Sequence, residues 1–449
     1  MSTFLVGASC VPMQYPDGFF PHMGFRGRYL TGVRDDLCVR TILISQDEEK
    51  MLFISLELGD VGDQWIQEIS EKTGIPSDRI FITATHTHSA PHVGGYWPED
   101  VVDVEQGEAF AKLCLGAVWE SIQLAKQACK PAVMRYGEGN CYINVNRDYR
   151  YTGDDGNITA PYIQASVPDG ISDKTVYIIS FDTPEGEPLA CMFSYAVHSN
   201  VTFYQSWDRK DGMLITGDIA GVAMRHIEQR RGGIAMYHLG AAADQSPQYL
   251  ANHRVFDKDG NATWEYCGAQ AGYTLMEAQG AQLGSAVQNA LADMQILSGS
   301  DLDALQTSVT LRKKLDGVKQ KAEEEEAADN YAAQYKEKMD KNFDYIEDGT
   351  LEMPLYLVRL HGINIVGIPA EIVTRMGITL REAVTEVLGG ATMIITQCNN
   401  AYSYITDDEG YADRTFEGVA SHVMPGSADR ILFAVKEMAQ RMKIKLIQE

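Results

Sequence analysis

Short β-branched and apolar runs alternate with longer amphipathic segments along most of this 449-residue chain. Strand-like runs are predicted at 38–45, 51–58, 79–84, 132–137, 175–182, 190–197, 233–239, 305–312, 355–360, 362–368 and 392–397. Helical periodicity is predicted at 62–73, 104–127, 219–231, 266–293, 371–387 and 426–442. Because strands and helices follow one another in this order, the pattern predicts an α/β (mixed α+β) fold with central β-sheets flanked by helices.

Two parts of the chain depart from this alternation. Residues 1–35 are rich in glycine, proline and aromatic side chains, so they are predicted to be mostly loop. The segment from Lys313 to Phe343 is dense in lysine, glutamate and alanine, which predicts solvated, charged helices, with a mobile cover over a site as the alternative. No repeat or dividing linker is evident, so we predict one large domain over 1–449 with a charged helical insertion at about 313–345.

Charge narrows the class of partner. The chain has 62 acidic and 38 basic residues, a formal net charge of -24. A surface of that sign argues against nucleic acid and against docking on an anionic membrane, and it is compatible with a soluble enzyme for neutral or cationic substrates. We therefore expect a small-molecule substrate, no nucleic-acid partner and no stable membrane anchor. A homo-oligomer is expected only from the general frequency of symmetric assemblies.

Targeting signals and cysteines point to the compartment. The N-terminus lacks the basic region and the apolar core of a signal peptide, and no stretch is long and apolar enough to span a membrane. None of the eight cysteines has the spacing of a cysteine zinc site or a redox motif. These features predict a reduced, cytoplasmic protein.

The run from Ile82 to His92 contains three of the ten histidines. It follows an apolar strand and leads into turn residues, so the histidines lie where a strand leaves the core. Since side chains alternate along a strand, His86 and His88 are predicted to point the same way and to form half of a metal site. The alternative is a pair of hydrogen-bonded histidines at a strand end.

Two further residues follow apolar strands. His198 ends the run 190–197, where a histidine is either a metal ligand or a satisfied core residue. Glu371 follows the run 362–368 and lies just inside a predicted helix, where a carboxylate is either a ligand or a residue favoured by the helix dipole.

Five other residues are weaker candidates. Arg147 is either a surface residue or an anchor for an anion or oxyanion. Ser246 precedes a proline, as turn serines do, and it lacks the Gly-x-Ser-x-Gly elbow of a serine hydrolase. The tyrosines at 402, 404 and 411 form a cluster of the kind that usually serves packing.

In chain order these residues resemble the catalytic domain of the neutral, non-lysosomal ceramidase family. The resemblance runs from about residue 4 to about 430, and its most specific parts are His-Thr-His-Ser at 86–89 and Tyr-Ile-Thr-Asp-Asp-Glu-Gly-Tyr at 404–411. It implies one Zn²⁺ per chain, held by two histidines, a glutamate and a tyrosine. The corresponding metal ligands here are His86, His198, Glu371 and Tyr404.

The resemblance also implies roles for residues beside the metal. His88 corresponds to a general acid/base, and Arg147 to a group that binds substrate or steadies an oxyanion. Ser246 matches the family's active-site serine, and we favour its role as a hydrogen-bond donor because a zinc-bound hydroxide already supplies the nucleophile. Asp218, which with Thr216 is a predicted cap for the helix 219–231, is expected to support the site.

The chain departs from the family at Phe416, where the family has a second active-site tyrosine. From the length of 449 residues we also expect the family's immunoglobulin-like C-terminal domain to be missing. We therefore expect a zinc-dependent hydrolase that cleaves an amide (N-acyl) bond through a metal-activated water, on a small soluble substrate rather than long-chain ceramide. The alternatives are an esterase, lactonase or lyase acting on a polar carbohydrate-like substrate at the same metal site, and a non-catalytic binding protein that keeps the fold.

Overall fold

The computed structural model describes residues 4–24, 29–93, 104–149, 163–203, 212–256, 262–314 and 347–448. Its strands are β1 (Phe4–Pro12), β2 (His22–Met23), β3 (Tyr29–Val33), β4 (Cys38–Gln46), β5 (Glu49–Leu56), β6 (Ile80–Ala84), β7 (Lys130–Pro131), β8 (Val133–Asn140), β9 (Asn144–Tyr149), β10 (Ile163–Val167), β11 (Thr175–Asp182), β12 (Pro188–Tyr195), β13 (Met213–Ile215), β14 (Ile234–Leu239), β15 (Gln245–Pro247), β16 (Asn252–Phe256), β17 (Ala262–Tyr266), β18 (Gln295–Ile296), β19 (Leu302–Lys314), β20 (Glu347–Leu360), β21 (Ile363–Ile368), β22 (Glu371–Ile372), β23 (Thr392–Thr396) and β24 (Tyr404–Ile405). Its α-helices are α1 (Ile66–Thr73), α2 (Val104–Gln127), α3 (Asp218–Arg231), α4 (Ala269–Leu291), α5 (Thr374–Leu388), α6 (Asp408–Asp413), α7 (Phe416–Ala420) and α8 (Ser427–Gln448).

Three sheets contain most of the long strands. The first has the order β6-β5-β4-β1-β7, the second β14-β12-β11-β8-β18, and the third β19-β20-β21-β23. Each sheet is antiparallel except for one parallel pair, which is β5–β6, β12–β14 and β21–β23 respectively. The predicted mixed α/β class, with central sheets flanked by helices, is confirmed.

The three sheets share an apolar core on their inner faces. Phe53 and Phe81 of the first sheet stack at 5.0 Å, and Phe81 meets Tyr356 of the third sheet edge-on at 5.8 Å. Ile179 of the second sheet belongs to the same buried cluster. The outer faces are covered by α1 and α2, by α3 and α4, and by α5 and α8 in turn. Burial on both faces therefore fixes how the strand ends of the three sheets lie relative to one another.

The prediction that residues 1–35 are mostly loop is wrong. The first strand, β1, pairs with β4 along its whole length, and β2 and β3 form part of a smaller sheet. Aromatic and glycine content suggested loop, but Gly7 lies inside β1. A Cβ at this position would collide with the Ala125 carbonyl of α2, which explains why the residue is glycine. The glycine permits close packing of helix on strand rather than a turn.

Two predicted helix starts also need correction. The predicted helix 371–387 begins at Thr374, because Glu371 and Ile372 form β22, which pairs with β24. The helix 219–231 begins one residue earlier, with Gly217 rather than Asp218 or Thr216 at the N-cap position. The charged insertion at about 313–345 falls almost wholly outside the described residues, although Lys313 and Lys314 belong to β19 and not to a helix.

Among the described residues, none of the helices combines the length and the apolar character needed to cross a membrane.

A buried histidine in the core predicts how stability depends on pH. Within β14, His238 is fully buried, with Nδ1 3.0 Å from Thr83 Oγ1, and its Nε2 has no hydrogen-bond partner among the described residues. Burial lowers the pKa of His238 to about 3. The unfolded chain, with an ordinary histidine pKa, therefore binds more protons than the folded protein as the pH falls below about 6.5.

We expect the free energy of unfolding to fall by about 2–3 kcal/mol between pH 7 and pH 4.5 through His238 alone. Buried His198, whose pKa is lowered to about 4 by burial and by Arg147, acts with the same sign. Urea titrations of wild type and His238→Asn in the presence of a chelator measure the effect. The variant should lose less stability on acidification, and an identical pH dependence would contradict this assignment.

Candidate metal centre

Three strand ends, one from each large sheet, lead to the candidate site. Chain segments leave β6 toward His86, β12 toward His198 and β21 toward Glu371. Each of these strands belongs to the parallel pair of its sheet. The carboxyl ends of parallel strands are where α/β proteins commonly place ligands, so the position itself is typical of a functional site.

The side chains from these three ends meet. The Glu371 Oε2 atom lies 3.3 Å from His86 Nε2 and 3.0 Å from His198 Nε2. His88 Nε2 lies 3.3 Å from His86 Nε2. The three histidines offer nitrogen atoms that all lie within 4.8 Å of one another, and each of the four side chains is at most 5% exposed. The structure thus brings together three predicted ligands and the predicted acid/base.

Backbone carbonyl groups fix the orientation of two imidazoles. The His86 Nδ1 atom lies 2.6 Å from the Gly59 carbonyl, and His198 Nδ1 lies 2.9 Å from the Gln245 carbonyl. A carbonyl only accepts, so the hydrogen-bond network assigns the proton to Nδ1 and leaves each Nε2 lone pair facing Glu371. This second hydrogen bond is what metal-ligating histidines normally make.

The facing groups fit a metal cation. Two Nε2 lone pairs and a carboxylate oxygen at 3.0–3.3 Å repel one another unless a proton or a metal ion lies among them. Burial and Arg147 lower the pKa of His198 to about 4, which disfavours the proton at neutral pH. Burial alone would raise the pKa of Glu371, but His86 and His198 hold it well below its usual range. His198 and Glu371 are therefore in the ionisation states that metal ligands require.

The route by which His86 and His88 converge differs from the predicted one. Their strand ends at Ala84, and His86 has a left-handed backbone with φ of 62°. They therefore do not share one face of a strand, and a kink at His86 brings the imidazoles together instead. A left-handed non-glycine residue costs about 1–2 kcal/mol, a strain that functional sites often retain. His92, the third histidine of the run, lies apart, with Nδ1 3.5 Å from Asp60 Oδ1.

The loop after His198 is tied to the helix that follows it. Asp218 is fully buried and accepts hydrogen bonds from the backbone N–H of Thr202 at 3.1 Å and of Ile219 at 2.8 Å. The His88 N–H in turn donates to the Ser199 carbonyl at 3.0 Å. These bonds join the two histidine-bearing loops, the supporting position that we expect for Asp218.

Arg147 lies beside the histidines and is held by a residue that the sequence did not single out. Its Nη1 lies 3.4 Å from His198 Nε2, while Nε and Nη2 donate to the same Oε1 of Glu417 at 3.1 and 2.8 Å. The rings of Tyr404 and Phe416 lie 5.8 and 5.3 Å from its Cζ. No local signal could reveal this ion pair, because its partners are 270 positions apart.

The remaining predicted residues are near the centre. The Cα atoms of Tyr404 and Glu371 are paired in the small parallel sheet of β22 and β24, so both side chains leave the same face. In the small antiparallel sheet of β9 and β15, Ser246 pairs with Val145. Val145 and Arg147 are two positions apart in β9, so Ser246 lies on the face of the sheet that carries Arg147. Its neighbour Gln245 supplies the carbonyl that orients His198.

Two acidic groups behind Arg147 were also missed by sequence analysis. Burial and the proximity of Glu417 raise the pKa of Asp148 to about 10. Burial raises the pKa of Asp244 to about 6, although its carboxylate accepts hydrogen bonds from the Thr374 N–H at 2.9 Å and from Asn146 Nδ2 at 3.1 Å. Single acidic residues within polar runs carry no pattern that distinguishes buried from exposed positions.

Part of the chain is similar in sequence to a known protein. In sequence, the chain is 26% identical over 200 residues to neutral ceramidase A of Dictyostelium discoideum, a match that covers 43% of this chain and 26% of that protein. The similar region thus spans only about a quarter of that relative. The chain matches no protein-family model.

The fold resembles solved ceramidases over nearly the whole chain. A neutral ceramidase from Pseudomonas aeruginosa superposes with a TM-score of 0.75 at 17% identity, covering 99% of this chain and 75% of that one. A ceramidase complexed with C2 gives 0.74 at 16% identity, with 99% and 76% covered. At these identities the likeness establishes the fold, and it confirms the resemblance to neutral ceramidases that the motifs indicated.

Proposed function

We propose that this protein is a metal-dependent hydrolase of the neutral ceramidase-like superfamily that cleaves an amide (N-acyl) bond in a small soluble substrate. The observation that carries the proposal is the buried convergence of His86 Nε2 and His198 Nε2 on Glu371 Oε2, with His88 alongside. A non-catalytic binding protein has no need of so many convergent, desolvated donors.

We assign one zinc ion per chain to His86, His198, Glu371 and Tyr404. Imidazole and carboxylate donors suit zinc, and both histidines turn an Nε2 lone pair toward the carboxylate. His88 Nε2 lies 3.3 Å from His86 Nε2 and its ring lies 5.7 Å from that of His198, and we give it the proton-transfer role that the family resemblance implies. When bound, zinc lowers the pKa of water and polarises a carbonyl group.

The other residues would act on the proton and the oxyanion. We assign His88 to take the proton of the attacking water and to deliver it to the leaving amine. The ring of His88 meets Phe203 edge-on at 5.2 Å, a contact that helps to hold the imidazole in place. Arg147 would donate from Nη1 to the developing oxyanion, and Ser246 would donate a hydrogen bond to the substrate.

The test is a panel of short amides, esters and sugar-derived substrates offered to the zinc-loaded protein. Amide cleavage that a chelator abolishes and added zinc restores is the expected result. Turnover of only esters, lactones or sugar-derived compounds would replace the amidase assignment with an esterase, lactonase or lyase. Bound metal without turnover of any compound would favour the binding-protein alternative. Cytoplasmic location and homo-oligomer formation stay predictions.

A further inference from the structure

We infer that Glu417 is a positioning and specificity-determining residue. Its ion pair with Arg147 makes the site select substrates that are uncharged beside Arg147. Glu417 occupies the Nε–Nη2 edge of the guanidinium and balances its charge, so Arg147 is a poor anchor for a substrate carboxylate. The inference rests on the proposed hydrolase and names its substrate class: compounds without an anionic group next to the scissile carbonyl.

The geometry of the Arg147 guanidinium limits which of its N–H groups can reach a substrate. Carboxylates bind arginine best through two parallel N–H groups on one edge. Here Nε and Nη2 both donate to Glu417 Oε1, at 3.1 and 2.8 Å, so that edge is taken. The Nη1 atom, 3.4 Å from His198 Nε2, is the part of Arg147 that faces the histidine cluster. Nη1 carries two N–H groups, and with one of them directed at His198 Nε2 it retains one N–H, which suits a carbonyl oxygen or oxyanion rather than a carboxylate fork.

The residues around the Arg147 guanidinium hold it in place. Arg147 is 4% exposed and Glu417 is fully buried. The Phe416 ring lies 5.3 Å from the guanidinium carbon and packs edge-on against the Tyr404 ring at 5.3 Å. Phe416 and Glu417 are consecutive in α7, so the same short helix supplies both the aromatic wall and the carboxylate. The guanidinium is thus held by elements that would have to move before it could turn.

The charges of Arg147 and Glu417 balance each other. Glu417 contributes one negative charge within hydrogen-bond distance of the positive charge of Arg147, in a region that water does not screen. The adjacent Asp148 adds a carboxyl group rather than a cation to this side of the site. A substrate carboxylate placed beside Arg147 would therefore meet a neutral ion pair and would lose its hydration without compensation.

The experiment compares two probes that differ by one terminal carboxylate, the 4-nitroanilides of butyric and succinic acid. Wild type should hydrolyse the butyryl compound with a kcat/KM at least about tenfold higher. The variant E417Q leaves Arg147 uncompensated and should shift this ratio at least about tenfold toward the succinyl compound, mostly through KM. Calorimetry of succinate binding to zinc-free protein should show tighter binding to E417Q than to wild type.

Two further variants separate charge from structure. The double variant R147M/E417Q restores an uncharged pair and should return succinate binding, measured by calorimetry, toward that of wild type. The control E409Q makes the same glutamate-to-glutamine change at exposed Glu409, which pairs with Arg375. It should leave the substrate ratio unchanged.

Each outcome decides the inference. An unchanged substrate ratio and unchanged succinate binding in folded E417Q would overturn it while leaving the hydrolase intact. If neither anilide is hydrolysed by wild type, the amidase assignment fails, and succinate calorimetry still decides the role of Glu417. If E417Q does not fold, the wild-type preference itself is decisive, because a preference for the succinyl compound would refute charge cancellation.

Discussion

Replacing His198 with alanine is expected to lower zinc affinity and turnover at least about 100-fold each. Structural zinc sites bind with about 10–16 kcal/mol, so one of four ligands contributes roughly 3 kcal/mol, which corresponds to about 100-fold in affinity. His198 is fully buried, with one nitrogen fixed by the Gln245 carbonyl and the other facing Glu371. Its loss removes one of the two imidazole nitrogens that face Glu371.

Zinc competition with a chromophoric chelator and steady-state hydrolysis of the best amide measure the two effects. His253→Ala is the matched control, because His253 is 64% exposed in the β16–β17 hairpin and pairs with Glu265. The control should retain metal and activity. Full turnover by the His198 variant would rule out the proposed ligand set.

Replacing Arg40 with methionine is expected to cost about 3–5 kcal/mol of stability, because it leaves buried Glu57 facing only the more distant Arg225, at 3.6 Å, among the cations of the described residues. Arg40 is 2% exposed, contacts Glu57, which is 1% exposed, and donates to Glu228 at 3.0 Å. Glu57 lies two positions before Gly59, whose carbonyl orients His86. The change should therefore also weaken metal binding, although Arg40 touches none of the proposed ligands.

Urea unfolding at neutral pH gives the free-energy change, and the zinc competition assay gives the effect on the site. Lys72→Met serves as the comparison, because the Lys72–Glu68 ion pair lies on the surface of α1 and exposed pairs contribute little. The Lys72 variant should unfold at the same urea concentration as wild type. An Arg40 variant as stable as wild type would show that the buried network is not needed for the fold.

The sequence was most informative where an apolar strand ends in a chemically distinctive residue. The runs before His86 and His198 are short and apolar, so strand and strand end could both be located. The structure brings both histidines to Glu371. Periodicity did not predict that these ends belong to three different sheets, because strand order depends on contacts between distant segments.

The environment of Arg147 could not be predicted for a related reason. Its partner Glu417 lies in a five-residue helix with no amphipathic pattern, and its burial follows from packing between β9 and α7. The kink at His86 was missed because a left-handed histidine has no sequence signature. Glu371 was placed in a helix because the pattern after it is helical, whereas backbone pairing with Tyr404 extends the chain at that residue.

The most direct test of the proposed metal centre is the metal content of the purified protein by plasma mass spectrometry, with wild type and His86→Ala side by side. We predict about one zinc per chain in wild type and loss of that zinc in the variant, since His86 faces both Glu371 and His88. No metal in wild type, even after zinc is added back, would contradict the proposed centre and leave only the shared fold.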